Sequence, residues 1–203
     1  MPRSTSVDIA NEPQPAEQLI ARAARGDREA FGQLYEEHAL RVFRHAYFLT
    51  QDPFLAEDLT AQTFLKALEA IPRYEDRGVP FIAWLLRITG NLTINYKKAQ
   101  KNGYHAQLPD SLIDDDRFTS PEKTAEANSD GERLWRFVQK LPFEQRQVIV
   151  MRFIDDLPYT EVADVLGKSV GAVRVIQFRA LASLRRMVQN ADRELAYAVA
   201  QAS

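Results

Sequence analysis

The sequence predicts an all-α protein: two small helical domains joined by a flexible acidic linker. Three observations carry this. Apolar residues recur at helical spacing along nearly the whole chain, and no strand alternation interrupts them. Helix start and stop signals fall between the apolar stripes. And from Tyr104 to Glu132 eight acids stand against only Arg117 and Lys123, with no sustained period. Such a stretch cannot bury enough apolar surface to offset its ordering entropy.

Residues 1–15 hold three prolines and little apolar content, and read as a disordered tail. The first domain spans 16–103. Its first helix carries Leu19, Ile20 and Ala23 and stops at Gly26. Asp27 caps a second helix with Phe31, Leu34, Tyr35, Val42, Ala46 and Leu49 on one stripe. Asp52 followed by Pro53 is a start signal, an N-cap and then proline at the first helical position. That helix runs through Phe64 and Leu68 toward Ile71. After Arg77-Gly78, Pro80 opens another, with Phe81, Trp84, Leu85, Ile88 and Leu92 turned inward and Lys97, Lys98 and Lys101 near its end.

The linker covers 104–130. Helices resume at Gly131, first with Leu134, Phe137, Val138 and Leu141, then from Phe143 to Ile154. This second domain spans 131–189, and 190–203 is an alanine-rich tail with an extra helical turn or two.

Composition narrows the function classes. Of 203 residues, 45% are hydrophobic and 27% charged, an ordinary soluble balance. The absence of cysteine excludes a disulfide framework and thiolate metal sites. The three histidines, His38, His45 and His105, form no metal-ligand motif. We expect no metal, no cofactor and no catalytic residues. No signal-peptide core or membrane-length apolar run is visible, so a cytoplasmic protein without stable membrane association is expected. The net charge of −2 argues against strong unassisted binding to nucleic acid, where phosphate contacts dominate affinity.

The charge distribution says more. Tyr159 to Arg186 reads as a short helix, a tight turn and a longer helix. Thr160 is expected to cap the first, Gly167 to end it and Ser169 to cap the second. Val170, Val173, Gln177, Ala180, Leu181 and Leu184 should face inward, leaving Gly171, Arg174, Val175, Phe178 and Arg179 outside. Between Lys168 and Arg193 six basic residues face one acid, Asp192. This is the pattern of a helix-turn-helix whose second helix enters the DNA major groove.

With both halves in view, the chain resembles bacterial sigma factors of the sigma-70 family, specifically the extracytoplasmic-function group. Ala56 to Gly78 resembles the helix that binds core RNA polymerase, Phe81 to Lys101 the promoter −10 helix (sigma region 2), and Leu141 to Arg186 the −35-binding domain (sigma region 4). The resemblance implies an alternative sigma factor of bacterial cytoplasm. Its partners would be core RNA polymerase, through the clamp and flap regions, promoter DNA, and an anti-sigma factor. Glu57, Asp58, Gln62, Phe64 and Lys66 would dock on the polymerase. Arg87, Asn91, Asn95, Tyr96, Lys97 and Lys98 would engage the melted −10 strand, with asparagines reading base edges and Tyr96 offering a stacking ring. Tyr96 has an alternative place in the core. Lys168, Ser169, Gly171, Arg174, Val175, Phe178, Arg179 and Arg185 would meet the −35 duplex. Arg174 is suited to guanine or phosphate, and Arg179 and Arg185 to phosphate.

Two departures from the family pattern stand out. Asn95 lies where aspartate is common, and Ile176 where a second basic residue is common, which implies an unusual −35 sequence. A linker of about 25 residues reaches up to ~80 Å, enough to bridge promoter elements more than a DNA turn (~34 Å) apart. The alternative is a freestanding helix-turn-helix regulator, which would not explain Phe81 to Lys101. A helical hydrolase lacks any HExxH or paired ExxH arrangement, and an anti-sigma antagonist would not need the basic recognition helix.

Overall fold

Helix ends in this chain are set by local chemistry, and the computed structural model follows those signals closely. It describes residues 16–75, 78–101 and 128–202. The expected N-terminal tail and most of the expected linker lie outside the described residues. Every regular element among the described residues is helical: α1 (Ala16–Ala24), α2 (Arg28–Thr50), α3 (Pro53–Ala70), a 3-10 turn (Ile71–Arg73), α4 (Phe81–Lys101), α5 (Asn128–Lys140), α6 (Phe143–Phe153), α7 (Tyr159–Leu166) and α8 (Val170–Ala202).

The Asp27 carboxylate accepts from the Glu29 and Ala30 amides, and Asp52 from the Leu55 amide at 3.1 Å. The Asp27 carboxyl is held below the usual range, first by the Ala30 amide and then by Arg22. Gly26 and Gly167 turn the chain with φ of +92° and +62°, a region open to glycine at no steric cost.

Helices α1 to α4 pack around Leu34, Val42, Phe64, Leu85 and Leu86. Four threonines lie buried between them. Thr60, Thr63, Thr89 and Thr93 each donate to the carbonyl four residues back, so no hydroxyl is stranded. In the second half α6, α7 and α8 form the helix-turn-helix, and α5 closes over α8 through Val138, Leu141, Ile149, Ala180 and Leu184. The two halves are not separate globules. Val148, Met151, Val162, Val165 and Val173 belong to the same continuous core as Phe81 and Leu85.

Four local expectations change. Helix α7 begins at Tyr159, so Thr160 lies inside its first turn. The preceding residue is Pro158, extended at φ −65° and ψ 160°, and it makes no side-chain cap. Helix α5 starts at Asn128, three residues before Gly131. Helix α8 runs unbroken for 33 residues, because its alanine-rich end favours helix over a loose tail. Leu181 is 43% exposed, and Ile176, at 9%, takes the inward place instead. Ile176 completes the line Val173–Ile176–Ala180–Leu184, while Leu181 sits one position past it.

Candidate nucleic-acid and polymerase interface

The helix-turn-helix is built as a rigid corner. Gly167 ends α7, its amide reaching the Ala163 and Asp164 carbonyls. Two residues later Ser169 Oγ accepts from the Ala172 amide at 3.2 Å and caps α8. Lys168 between them pairs with Glu144 of α6 at 2.7 Å, tying the turn to the domain. Gly171, Arg174, Val175, Phe178, Arg179 and Arg185 all lie on the exposed side of α8, Phe178 at 74%. That arrangement puts three guanidinium groups and two apolar side chains on the exposed side of one helix, a set that can meet phosphates, guanine edges and thymine methyls.

Tyr159 was not singled out in the sequence, yet it orients this face. Its ring lies beneath two guanidinium groups, Arg152 at 4.3 Å and Arg174 at 5.2 Å from the centroid. Stacking on an aromatic ring restrains Arg174 while leaving its donors outward. No sequence signal marks the pairing, since the partners lie on different helices. Ile176 is core, so its place in the sequence carries no information about bases.

On α4, Asn91, Asn95 and Lys98 are exposed along one line, continued by Arg87. The structure brings these four together. Tyr96 is half-buried against the cluster of Phe43, Ala46, Leu55 and Leu92, which fits the core alternative. Lys97 does not join the asparagine line. It lies on the neighbouring face, its ammonium 4.5 Å from the Phe143 ring centroid and 3.4 Å from the Leu49 carbonyl. Burial, and then Arg146 nearby, push its pKa down to about 8.

On α3, Glu57, Asp58 and Gln62 form a half-exposed polar edge, with Lys66 exposed. Gln62 donates to Asp58 at 2.7 Å. Burial raises the Asp58 pKa, and the Gln62 bond pulls the other way. Phe64 does not belong to a docking surface. It is 5% exposed and meets Tyr35 edge-to-face at 4.7 Å and Phe31 at 6.4 Å. The buried line of α3 runs Leu59, Thr63, Phe64 and Ala67, one helical stripe. Besides Phe54 in its first turn at 72%, the exposed large apolar residues of α3 are Leu65 at 59% and Leu68 at 47%. Both fall off that stripe, a signal present in the sequence.

Among the described residues no group of His, Asp or Glu is arranged to hold a metal ion, and no helix is long and apolar enough to cross a membrane.

Comparison with known proteins agrees with this geometry. Residues 34–103 match the family Sigma-70 region 2, and residues 137–186 match Sigma-70, region 4. The chain is 32% identical over 173 residues to the ECF RNA polymerase sigma factor BldN of Streptomyces coelicolor, covering 85% of this chain and 66% of that protein. It is 30% identical over 174 residues to the ECF RNA polymerase sigma factor SigD of Mycobacterium tuberculosis, covering 82% and 81%. Among solved structures it resembles CnrH, solved in complex with the cytosolic domain of CnrY. The TM-score is 0.63 at 29% identity, covering 87% of this chain and 99% of the other.

Proposed function

The chain belongs to the extracytoplasmic-function group of sigma-70 family RNA polymerase sigma factors, and we propose that it recruits core polymerase to promoters whose −35 and −10 elements it reads with separate helices. One observation carries this assignment of roles. A single chain presents an outward Arg174–Val175–Phe178–Arg179 face on a helix-turn-helix and an outward Asn91–Asn95–Lys98 line on α4, headed by Arg87, whose guanidinium rests on the Asp164 and Val165 carbonyls at the end of α7. A duplex-only regulator has no use for the second.

In this proposal residues 131–189 hold the −35 duplex. Arg174 reads or grips the major groove, and Arg179, Arg185 and Lys168 position it through phosphates. Ser169 and Gly171 let the start of α8 approach the backbone closely. Residues 16–103 hold the −10 element. Asn91 and Asn95 bond unpaired base edges, with Arg87 and Lys98 on phosphates. Glu57, Asp58, Gln62 and Lys66, joined by Leu65 and Leu68, dock on the polymerase clamp. The acidic segment 104–130 spans between the two. A polymerase partner also explains the net charge of −2, since DNA contact is conditional on the holoenzyme. Sigma factors are initiation factors, and we assign no catalytic residue. We propose a bacterial cytoplasmic location and an anti-sigma partner, consistent with the family and with the protein complex in which CnrH was solved.

Reconstitution tests this. Purified chain is mixed with sigma-free core polymerase, and transcripts from fragmented genomic DNA are sequenced. A stable complex with discrete start sites is expected, and Arg174→Ala should reduce initiation at those sites without loosening the complex. No complex, together with sequence-specific duplex binding by the chain alone, would instead establish a freestanding regulator.

A further inference from the structure

Lys97 of α4 sits among apolar and positive groups from two other helices. Its ammonium lies 4.5 Å from the Phe143 ring centroid of α6 and 3.4 Å from the Leu49 carbonyl of α2. That carbonyl falls in the last turn of α2, where a helix offers its own oxygens no partner. Arg146 of α6 donates to the same oxygen at 3.0 Å. The guanidinium already supplies the positive charge that a helix end favours, so the ammonium beside it is surplus. No carboxylate of the described residues pairs with Lys97, whereas Lys168 meets Glu144 at 2.7 Å.

An amine that has lost water to a ring face and stands next to another cation is held toward its neutral form, and the neutral amine is the nucleophile. Burial, and then Arg146, lower the Lys97 pKa in that direction. The side chain is half-buried and not sealed, so a small reagent can reach it. The surroundings also suit the product of an acyl transfer. An amide N–H still donates to the Leu49 carbonyl, an acetyl methyl rests on Phe143, and the repulsion from Arg146 is gone.

We propose that Lys97 is an acylation site, modified directly by small activated acyl donors, acyl phosphates or acyl thioesters. The Nζ lone pair attacks the acyl carbon and a new N–C bond forms. The C–O or C–S bond breaks, phosphate or thiolate leaves, and the amine proton passes to water. Lys97 holds none of the promoter roles assigned above, so this proposal stands or falls separately from them.

The test incubates the full chain at pH 7 with acetyl phosphate and, in a second arm, with acetyl-CoA. A heavy-isotope peptide of residues 88–101 shares each tube. Digestion and mass spectrometry then compare Lys97 in the fold with the same residue outside it. Lowering an amine pKa from 10.5 to about 8 raises its neutral fraction at pH 7 about three hundredfold. Lower basicity weakens the nucleophile, as it does for thiols, and half-burial slows access, so the folded chain should keep an advantage of about tenfold. Labelling of the folded chain should level off near pH 8, while labelling of the peptide goes on rising toward pH 10. The chain acetylated at Lys97 should melt at a higher temperature than the unlabelled chain at pH 7. An advantage with one donor alone upholds the site and identifies that donor as the source. Labelling no faster than in the peptide with either donor, a folded-chain profile that still rises past pH 9, or a lower melting temperature after acetylation would each overturn the proposal.

Discussion

Lys97 shows how packing changes a residue that spacing alone groups with its neighbours. Its ammonium loses water against Phe143 and meets the positive Arg146, and its pKa falls from 10.5 to about 8. Below pH 8 it is charged in both folded and unfolded chains, and the full burial penalty weighs on the folded one. Between about pH 8 and 10.5 the unfolded chain binds more protons, so stability rises with pH across that window. Lys97→Met removes the charge while Arg146 still serves the Leu49 carbonyl. The variant should therefore melt higher than wild type at pH 7, with the gap closing toward pH 10. A gap that stays constant across melts at the two pH values would mean that burial of the charge is not the controlling cost. The sequence placed Lys97 beside Asn95 and Lys98 as one basic end. Its partners on α2 and α6 were invisible there, because they come from segments some 50 residues away in either direction.

At the scale of single helices the sequence was most legible. Asp27, Asp52, Gly167 and Ser169 are local signals, and each cap formed as its residue type dictates. Gly167 sits at φ +62°, so Gly167→Ala should destabilise the fold by ~1–2 kcal/mol, measurable by urea unfolding. What failed was the edge of a stripe, where a shift of one residue decides core or surface. Ile176 and Phe178 separate the two outcomes. Ile176→Ala opens a cavity at a 9% exposed site and should cost ~2–5 kcal/mol of stability. Phe178→Ala acts at a 74% exposed site, so stability should hardly move while promoter-specific transcription falls. Equal stability losses in the two variants would place Phe178 in a packed contact and remove it from the promoter face. The same one-residue margin separates buried Phe64 from exposed Leu65 on α3.

The whole molecule is where the sequence was least informative, since helical periodicity says which face is apolar but not which helix covers it. His45, Arg146 and Asp155 look like surface residues in sequence, and all three lie in the seam between the halves. Trp135 of α5 meets Phe48 of α2 with ring centroids 4.5 Å apart and planes tilted by 33°, and Gln139 donates to the Phe48 carbonyl at 3.0 Å, so the seam also extends along α5. A core shared across two domains couples their unfolding, because neither can melt without exposing apolar surface of the other. The free wild-type chain should therefore unfold in one calorimetric transition, with van't Hoff and calorimetric enthalpies in agreement. Asp155→Ala leaves His45 unpaired in the seam and keeps each half's own core of Leu34 and Leu86, or of Val138 and Leu184. Its transition should split in two, with the total enthalpy falling by less than either component. A single lowered transition in the variant would mean that Asp155 supports one domain internally. Two transitions already present in the wild type would mean that the halves are independent in solution and that the apolar core they share is too weak to couple them.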